Sequence, residues 1–450
     1  MKRILALVIS ALMVFSLVAA CNNDSGGSSP DTSTNTPAGN TESPANTPDS
    51  GGENTPDAGG QDPAPGAPTQ YSQGASDDKI IIANSAATSG ALAVVGVPFN
   101  AGIEAYLDMV NAAGGIDGRI VEFVHYTDDE ADPAKGKAAL EGIVEDLKAF
   151  AVVGHFGTPV VSATVEDLRS YGIPAVYFAT GIGQLYVNNA RSNADGFNLF
   201  PVQPLYATEG RILTAYAAGM FGAGKIGVIY TNDDAGMDLY KGVTEQVADM
   251  GGRLEVVAEQ VTAGAADVSA AVTSIRNADV DIIIVASIQA TFPTIVKELA
   301  AQSVNKDCIT TYVNTALAMS EAIIGDVTGK FDVYSTGWVD ASDLDSFYTF
   351  AEWIPADYVA NSFAMAGWIA GATFCEGLYR IAGQDITWEN YMRALEESPV
   401  PLPFGAAVNY ADGNRWGTQA MNLAKACEAS EEWPLGWETV APMTNISDLT

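Results

Sequence analysis

Short β-branched runs alternate with longer segments of helical spacing from Lys79 onward, and this alternation constrains the fold more than any other feature of the chain. Parallel strands require crossover connections, which helices usually supply, so we expect an α/β protein with mainly parallel sheets flanked by helices. The first strand is predicted at Ile80–Ala83, and a helix is predicted to begin at Pro98, because proline suits a first helical position. The other predicted strands are at Ile120–Tyr126, Phe150–Gly154, Ile173–Phe178, Lys225–Tyr230, Leu254–Val261, Asp281–Ser287 and Cys308–Val313, and Val333–Val339 is predicted to be a strand or a crossing segment. The other predicted helices are at Pro133–Lys148, Pro159–Tyr171, Met237–Met250, Asp267–Asn277, Phe292–Gln302 and Tyr358–Ile381.

The length of the globular part indicates two lobes. About 370 residues follow the N-terminal segments, which is more than one hydrophobic core usually spans. Strand–helix series of similar length occur on both sides of Pro204. We therefore expect two lobes of like architecture, each with its ligand-contacting loops at the carboxyl ends of its strands.

Residues 1–20 have the composition of a signal peptide. Lys2 and Arg3 precede the apolar run Ile4–Val18, which is short for a membrane-spanning helix, although an uncleaved membrane anchor is the alternative. Val18-Ala19-Ala20-Cys21 resembles the bacterial lipobox. The resemblance implies that Cys21 becomes the acylated first residue of an exported lipoprotein, anchored to the outer face of the cell membrane.

Residues 21–77 are predicted to comprise this lipidated cysteine and a disordered tether. The stretch from Asn22 to Ser76 lacks Lys, Arg and His and is rich in Pro, Gly, Ser, Thr, Asn and Asp. Such a segment cannot bury enough apolar surface to offset its ordering entropy. A flexible chain of about 55 residues spans roughly 40 Å, so the lobes would stay close to a partner in the membrane.

The charge balance argues against nucleic acid as a partner. The chain has 55 acidic and 21 basic residues, a net charge of −34, whereas phosphate binding requires clustered Lys and Arg. With only two histidines, a multi-histidine metal site is not expected, and no cofactor is predicted. If Cys21 is acylated, at most one disulfide can form among Cys308, Cys375 and Cys427, and the sequence leaves open whether it does.

The segment Asn111–Arg119, which reads NAAGGIDGR, resembles a turn of the leucine/isoleucine/valine-binding protein family, the extracytoplasmic solute receptors of ABC importers. Its glycines end a helix and allow a tight reversal into the next strand. Val153–His155, Tyr171–Pro174 and Lys225–Ile229 add to the likeness, which covers most of residues 79–340. The resemblance implies a type 1 periplasmic-binding-protein fold, whose two lobes are joined by a three-crossing hinge and close on a solute.

The resemblance also implies domain boundaries. Lobe one would comprise residues 78–203 and 340–425, and lobe two would comprise residues 204–339 and 426–450. The three crossings would fall near Pro201–Pro204, Gly337–Asp340 and Cys427–Trp437.

Members of this family bind the carboxylate of an amino acid through hydroxyl and backbone N–H groups on two loops of lobe one. The resemblance places Thr158 in the first loop, as the N-cap of a helix that begins at Pro159, and Ala179 and Thr180 in the second. The alternative for Thr158 is that it only caps the helix. The alternative for the second loop is that it is an ordinary turn at the end of a strand.

Lobe two departs from the family pattern where relatives place a glutamate to pair the ligand ammonium. The nearest residue here is Asn314. An unpaired charge in a closed cleft is costly, so two alternatives are open. Either Asp233 or Asp234 pairs with the ligand ammonium, or the solute has no ammonium and Asn314 forms a hydrogen bond with another polar group of the solute. The alternative for both aspartates is a solvated helix N-terminus. If the solute is a plain aliphatic amino acid, replacing Asp233 or Asp234 with Asn should weaken its binding strongly.

Other residues are expected near the cleft. Ile288 and Gln289 follow a predicted strand of lobe two and would give the cleft a partly apolar wall. Gln203, Tyr206 and Trp338 lie near the predicted crossings, where they either line the cleft or pack the hinge.

The resemblance implies a monomeric, non-enzymatic receptor that closes on a small carboxylate-bearing, partly apolar solute, similar to a branched-chain amino acid, an amide or a related compound, and delivers it to ABC permease subunits. A tethered sensor of the same fold, coupled to a signalling receptor, is the alternative. An exported enzyme is a third class, because Asp128–Glu130 and Asp233–Asp234 are acid clusters and His155 lies beside a cleft loop. The chain has no nucleophile elbow, phosphate loop or HExxH motif, however.

Overall fold

Two sheets, mostly of parallel strands, organise the protein. The computed structural model describes residues 70–187, 189–190, 196–340, 343–430, 432–445 and 448, so the predicted signal peptide, Cys21 and most of the predicted tether lie outside the described residues. The strands are β1 Lys79–Ala86, β2 Ile120–Asp128, β3 Ala151–Phe156, β4 Ala175–Ala179, β5 Leu199–Phe200, β6 Lys225–Thr231, β7 Glu255–Val261, β8 Ile282–Ala286, β9 Cys308–Thr310, β10 Val333–Gly337, β11 Val400–Leu402, β12 Gly405–Val408, β13 Ala420–Ala426 and β14 Trp437–Asn445. The helices are α1 Ala93–Ala112, α2 Pro133–Glu141, α3 Thr158–Tyr171, α4 Tyr206–Gly219, α5 Asp234–Asp249, α6 Ser269–Ala278, α7 Thr291–Ala301, α8 Leu317–Val327, α9 Leu344–Trp353, α10 Ser362–Arg380 and α11 Trp388–Glu397.

The first sheet has the order β2-β1-β3-β4-β5, and its pairings are all parallel. Helices α1 and α10 pack together beside it, as do α2 and α3. A sheet of parallel strands is covered on both faces, which accounts for the burial of every residue of β3 and of the first four residues of β4. We call this sheet, its helices and the β11–β12 hairpin lobe one.

The second sheet has the order β14-β13-β10-β9-β8-β6-β7. Strands β6 to β10 pair in parallel, whereas β13 is antiparallel to β10 and to β14. Alternate residues of its strands face different apolar clusters: Ile282 and Ile284 belong to the cluster that contains α4 and α5, and Ile283 and Val285 to the cluster that contains α6 and α7. We call this sheet and its helices lobe two. The architecture confirms the α/β prediction.

The chain passes between the sheets after β5, after β10 and between β12 and β13. The first passage follows Phe200 and the second follows Gly337. The third was expected at Cys427–Trp437, but β13 already pairs with β10, so the chain has entered lobe two by Ala420 and residues 420–425 lie in lobe two rather than lobe one. Periodicity identifies a strand but does not say which sheet edge it joins.

Pro98 lies within α1 instead of starting it, and the helix begins at Ala93. The sequence argument for a first helical position was therefore wrong. Proline removes one backbone hydrogen bond, to the residue four positions earlier. That residue is Val94, which is exposed to solvent, so the missing bond is tolerated there.

Each lobe contains a pair of helices that touch through glycines. A Cβ on Gly102 of α1 would overlap the Ala364 carbonyl of α10, and one on Gly367 would overlap the Phe99 carbonyl. Gly210 of α4 and Gly242 of α5 are related in the same way to the Leu239 and Ala207 carbonyls. These helices approach backbone to backbone, which a larger residue would prevent.

Cys308, Cys375 and Cys427 are free thiols, and the first two are buried. Burial raises the pKa of the Cys308 and Cys375 thiols, so both remain protonated at neutral pH. Among the described residues, none of the helices combines the length and the apolar character needed to cross a membrane.

We predict that Gly367→Ala destabilises the protein by about 1–3 kcal/mol, because the added methyl group forces α1 and α10 apart. The measurement is the midpoint of urea unfolding. Gly325→Ala is the matched control, because Gly325 lies in α8 with open space around it, and alanine there should stabilise by up to about 1 kcal/mol. Equal midpoints for Gly367→Ala and Gly325→Ala would contradict the close helix packing.

Candidate functional site

The two threonines predicted from lobe one lie together. Thr158 is the first residue of α3 and Thr180 follows β4, and their Oγ1 atoms are 2.8 Å apart. Both residues are buried. The expectation that Thr158 is an N-cap was wrong, because Gly157, with φ of +87°, takes that position. The Thr158 hydroxyl is therefore available to Thr180 instead of capping the helix.

Tyr206, the first residue of α4 in lobe two, faces this pair. Burial raises the pKa of its phenol, and hydrogen bonding from the Thr180 and Thr158 side chains and the Gly181 backbone opposes that rise. The Tyr206 backbone N–H donates to the Gly181 carbonyl at 2.8 Å. We call Thr158, Thr180 and the Gly181 backbone the cradle. It is a set of hydroxyl and N–H groups at the N-terminal end of a helix, which favours negatively charged or electron-rich oxygen atoms.

Tyr177 connects lobe one to both of the first two crossings. Its phenol accepts a 2.8 Å hydrogen bond from Gln203 Nε2, and its ring packs against Trp338 with centroids 6.3 Å apart. Its φ of +63° is rare for an aromatic residue and costs about 1–2 kcal/mol. Gly154 stands at the corresponding position of β3, also with positive φ, between the pairs Val153–Val176 and His155–Phe178. The regular pleat of both strands is interrupted here, at the end that faces lobe two.

Tyr312 completes the aromatic cluster from lobe two. Its ring stacks on Tyr206 with centroids 6.0 Å apart and meets Trp338 edge-on. Its phenol lies 3.2 Å from the Pro204 carbonyl and 3.3 Å from Gln203 Oε1, both in the first crossing. Tyr206 and Trp338, for which the sequence left two roles open, therefore pack with Tyr177 and Tyr312 in an aromatic cluster beside the first two crossings.

Glu209 of α4 holds Tyr312 in place through hydrogen bonds. The carboxyl group is fully buried and accepts hydrogen bonds from the Tyr312 backbone N–H and the Thr311 hydroxyl, both at 2.7 Å, and from the Thr336 hydroxyl. Burial raises its pKa to about 7, although these bonds act in the opposite direction. Glu209 thus joins α4 to the ends of β9 and β10.

The side chain of Asn314 forms hydrogen bonds within lobe two. Its Nδ2 donates to the Ser287 carbonyl and to Thr310 Oγ1, both at 2.8 Å, and its Oδ1 accepts from the Gln289 backbone N–H at 3.1 Å. Both amide hydrogens are therefore occupied. Asn314 positions the loop that carries Ile288 and Gln289, which are half-buried, and Gln289 has a φ of +54°.

Asp233 and Asp234 lie at the start of α5. Asp233 is its N-cap, since Oδ1 accepts from the Gly236 N–H at 2.9 Å and from the Thr231 hydroxyl at 2.7 Å. Asp234 is exposed. One turn later, Asp238 Oδ2 accepts a 2.7 Å bond from the Gly183 N–H of lobe one. Asp238, which the sequence argument missed, is thus a carboxylate of lobe two that contacts lobe one.

The residues that suggested enzyme chemistry have structural partners. His155 Nε2 donates to Thr164 Oγ1 at 2.7 Å, and burial lowers the pKa of the ring to about 4, so it is neutral at physiological pH. Asp128 and Asp129 each accept backbone N–H bonds from the loop that follows β2. These are turn and core interactions.

Sequence reasoning missed Glu209, Tyr177 and Tyr312 as well as Asp238. A signal for Glu209 was present, because the apolar residues Ile212, Leu213 and Tyr216 follow it at helical spacing and place it on the buried face of α4. Nothing in the sequence indicates the positive φ of Tyr177.

Glu209→Gln is predicted to flatten the dependence of stability on pH. Because the pKa of Glu209 is raised in the folded state, the folded chain retains a proton that the unfolded chain loses, so stability falls as the pH rises from about 4.5 to about 7. The loss is about 3 kcal/mol and would be absent in the variant. Unfolding by urea between pH 5 and 8 measures it, with the exposed Glu321→Gln as control. If the stability of Glu209→Gln depends on pH in the same way as that of the unsubstituted protein, the Glu209 carboxyl is not held uncharged by burial.

The sequence is similar to those of known solute-binding proteins. A family model described as periplasmic binding protein matches residues 79–430. Leu/Ile/Val-binding protein homolog 2 of Brucella abortus is 25% identical over 236 residues, 52% of this chain and 61% of that protein. An amino acid binding protein of Pseudomonas aeruginosa is 27% identical over 205 residues, 45% of this chain and 52% of that protein. The chain therefore spans less than two thirds of the length of these curated relatives.

Solved structures share the fold at low sequence identity. A fatty acid ABC transporter substrate-binding protein from Thermomonospora curvata superposes with a TM-score of 0.69 at 17% identity, covering 84% of this chain and 95% of that one. A branched chain amino acid ABC transporter structure from Thermus thermophilus with bound valine gives 0.68 at 15% identity, covering 82% and 97%. With two sheets of mainly parallel strands flanked by helices and a family match over residues 79–430, the chain belongs to the periplasmic binding protein family.

Proposed function

We propose that this protein is the extracytoplasmic solute receptor of an ABC importer, and that its lobes close on a small carboxylate-bearing, partly apolar solute for delivery to a membrane permease. The cradle is the observation that carries the proposal. Its threonine hydroxyls lie 2.8 Å apart at the start of α3, a helix of 14 residues. Hydrogen bonds to a charged oxygen are stronger than those between neutral groups, so a carboxylate is the ligand that gains most from such donors.

The remainder of the solute would contact lobe two. Ile288 and Gln289 lie on the loop that Asn314 holds, which offers an aliphatic side chain and an amide. We infer that Asn314 acts by positioning this loop, because both of its amide hydrogens are already bonded.

The aspartates offer little to a ligand ammonium. Asp233 is engaged as a helix cap, and Asp234 is exposed. Asp238 is engaged with the Gly183 backbone. A buried ammonium requires a counter-charge. We therefore favour, of the alternatives left by the sequence, a solute whose carboxylate does not have to be accompanied by a buried ammonium group.

The direct experiment measures binding by calorimetry with probes that separate these features. L-Leucine, isovalerate and isovaleramide have similar apolar parts and differ in the ammonium and the carboxylate. Octanoate extends the apolar part, since one protein of this fold is named for fatty acids. The proposal expects isovalerate to bind more tightly than isovaleramide. A chain that binds none of the carboxylates would contradict it.

Thr180→Val and Thr158→Val should each weaken isovalerate binding about 10- to 100-fold, because each removes one hydrogen bond to a charged group. Valine keeps the shape of threonine, so the fold should be retained. The matched control is Thr244→Val on α5, whose hydroxyl bonds the Lys241 carbonyl on the surface of lobe two. If Thr158→Val and Thr180→Val both bind isovalerate as tightly as Thr244→Val does, the threonine pair is not the carboxylate site.

We also propose that Cys21 anchors the protein to the membrane, on the strength of its lipobox-like sequence. Cys21→Ser should move the protein from the membrane fraction to the soluble fraction of the cell, because the acyl chains would have no attachment point. Fractionation and immunoblotting measure this, and Cys427→Ser is the control. Retention of Cys21→Ser in the membrane fraction would favour an uncleaved anchor.

A further inference from the structure

The Tyr206 phenol stands where the proposed function places a solute carboxylate. Its ring lies against Gly181, whose carbonyl accepts the Tyr206 backbone N–H at 2.8 Å. Burial raises the pKa of the phenol, and hydrogen bonding from the Thr180 and Thr158 side chains and the Gly181 backbone, the three members of the cradle, opposes that rise. The remaining sides of its ring are closed by protein. Tyr312 stacks on it, and a Cβ on Gly181 would lie 2.9 Å from the Tyr206 ring and 3.0 Å from the Tyr312 phenol. Tyr206 is 2% exposed. The cradle therefore accommodates either this phenol or a solute oxygen.

The contact also joins the two lobes. The cradle lies on the loops that follow β3 and β4 in lobe one, whereas Tyr206 begins α4, which packs on α5 in lobe two. The hydrogen bond from the Tyr206 N–H to the Gly181 carbonyl crosses the same boundary. A hinge motion that separated the lobes would withdraw the phenol from the cradle.

Phenol and carboxylate are not equivalent occupants. Burial raises the pKa of Tyr206, so the phenol is neutral and makes hydrogen bonds of ordinary strength. A carboxylate makes charge-assisted bonds with the same donors, which are roughly twice as strong. A charged solute can therefore displace the phenol, whereas a solute with a weakly accepting end leaves it in place.

We infer that Tyr206 is a specificity-determining residue that acts as an internal ligand of the cradle: its phenol holds the lobes together without solute and must be displaced by the oxygen atoms of any solute that uses Thr158 and Thr180. This inference rests on the proposed function for the identity of the competitor. The contact between phenol and cradle does not depend on it.

Tyr206→Phe tests the inference, because it removes only the hydroxyl. Tyr240→Phe on α5 is the matched control, since that ring stacks on Tyr230 away from the cradle. Two quantities are measured on the full chain: the radius of gyration by X-ray scattering without added solute, and the affinity for isovalerate by calorimetry. We expect Tyr206→Phe to have the larger radius and to bind isovalerate about 2- to 10-fold more tightly, because the competing hydroxyl group is gone. Tyr240→Phe should change neither quantity.

The two measurements separate this inference from the proposed function. A larger radius in a protein that binds no carboxylate, with or without Tyr206, would support the phenol as an internal ligand and overturn the proposed function. An unchanged radius, or weaker isovalerate binding in Tyr206→Phe, would overturn the inference, while isovalerate binding by the unsubstituted protein would leave the proposed function standing.

Discussion

The buried carboxyl of Glu209 holds together the helix and the strand ends that carry lobe two's part of the proposed binding site. It bonds the Thr311 hydroxyl, the Tyr312 backbone and the Thr336 hydroxyl, and so ties the start of α4 to the ends of β9 and β10. Tyr312 is thereby held against Tyr206. Tyr206 in turn faces the threonine pair of lobe one. A charge in this position would be costly, and the raised pKa of Glu209 shows how the protein accommodates it, by keeping the group protonated below about pH 7.

The proposed binding site therefore relies on neutral donors and helix ends more than on formal charges. Lobe one supplies the Thr158 and Thr180 hydroxyl groups and the N-terminal end of α3 to this proposed site. The aspartates of α5 serve as a cap and as a contact between lobes. The net charge of −34 is therefore compatible with an acidic solute, because a carboxylate would meet oriented dipoles inside the cleft.

Local patterns in the sequence predicted much of the fold and part of the site. Strand and helix periods located β1 to β4 and β6 to β10, because a buried parallel strand carries a continuous apolar run. Thr158 and Thr180 were named from a family likeness, and the structure brings their hydroxyls together. The third crossing was misplaced because β13 joins an edge that no local pattern specifies. The roles of Tyr177 and Glu209 depend on a positive φ and on partners more than 100 residues away, so neither follows from nearby sequence.

The account is tested most directly by a crystal structure of the protein grown with isovalerate. It predicts carboxylate oxygens within hydrogen-bonding distance of the Thr158 and Thr180 hydroxyls, with the Tyr206 phenol moved out of the cradle and the aliphatic end of the solute toward Ile288. A solute bound elsewhere, with the phenol still at the cradle, would contradict it.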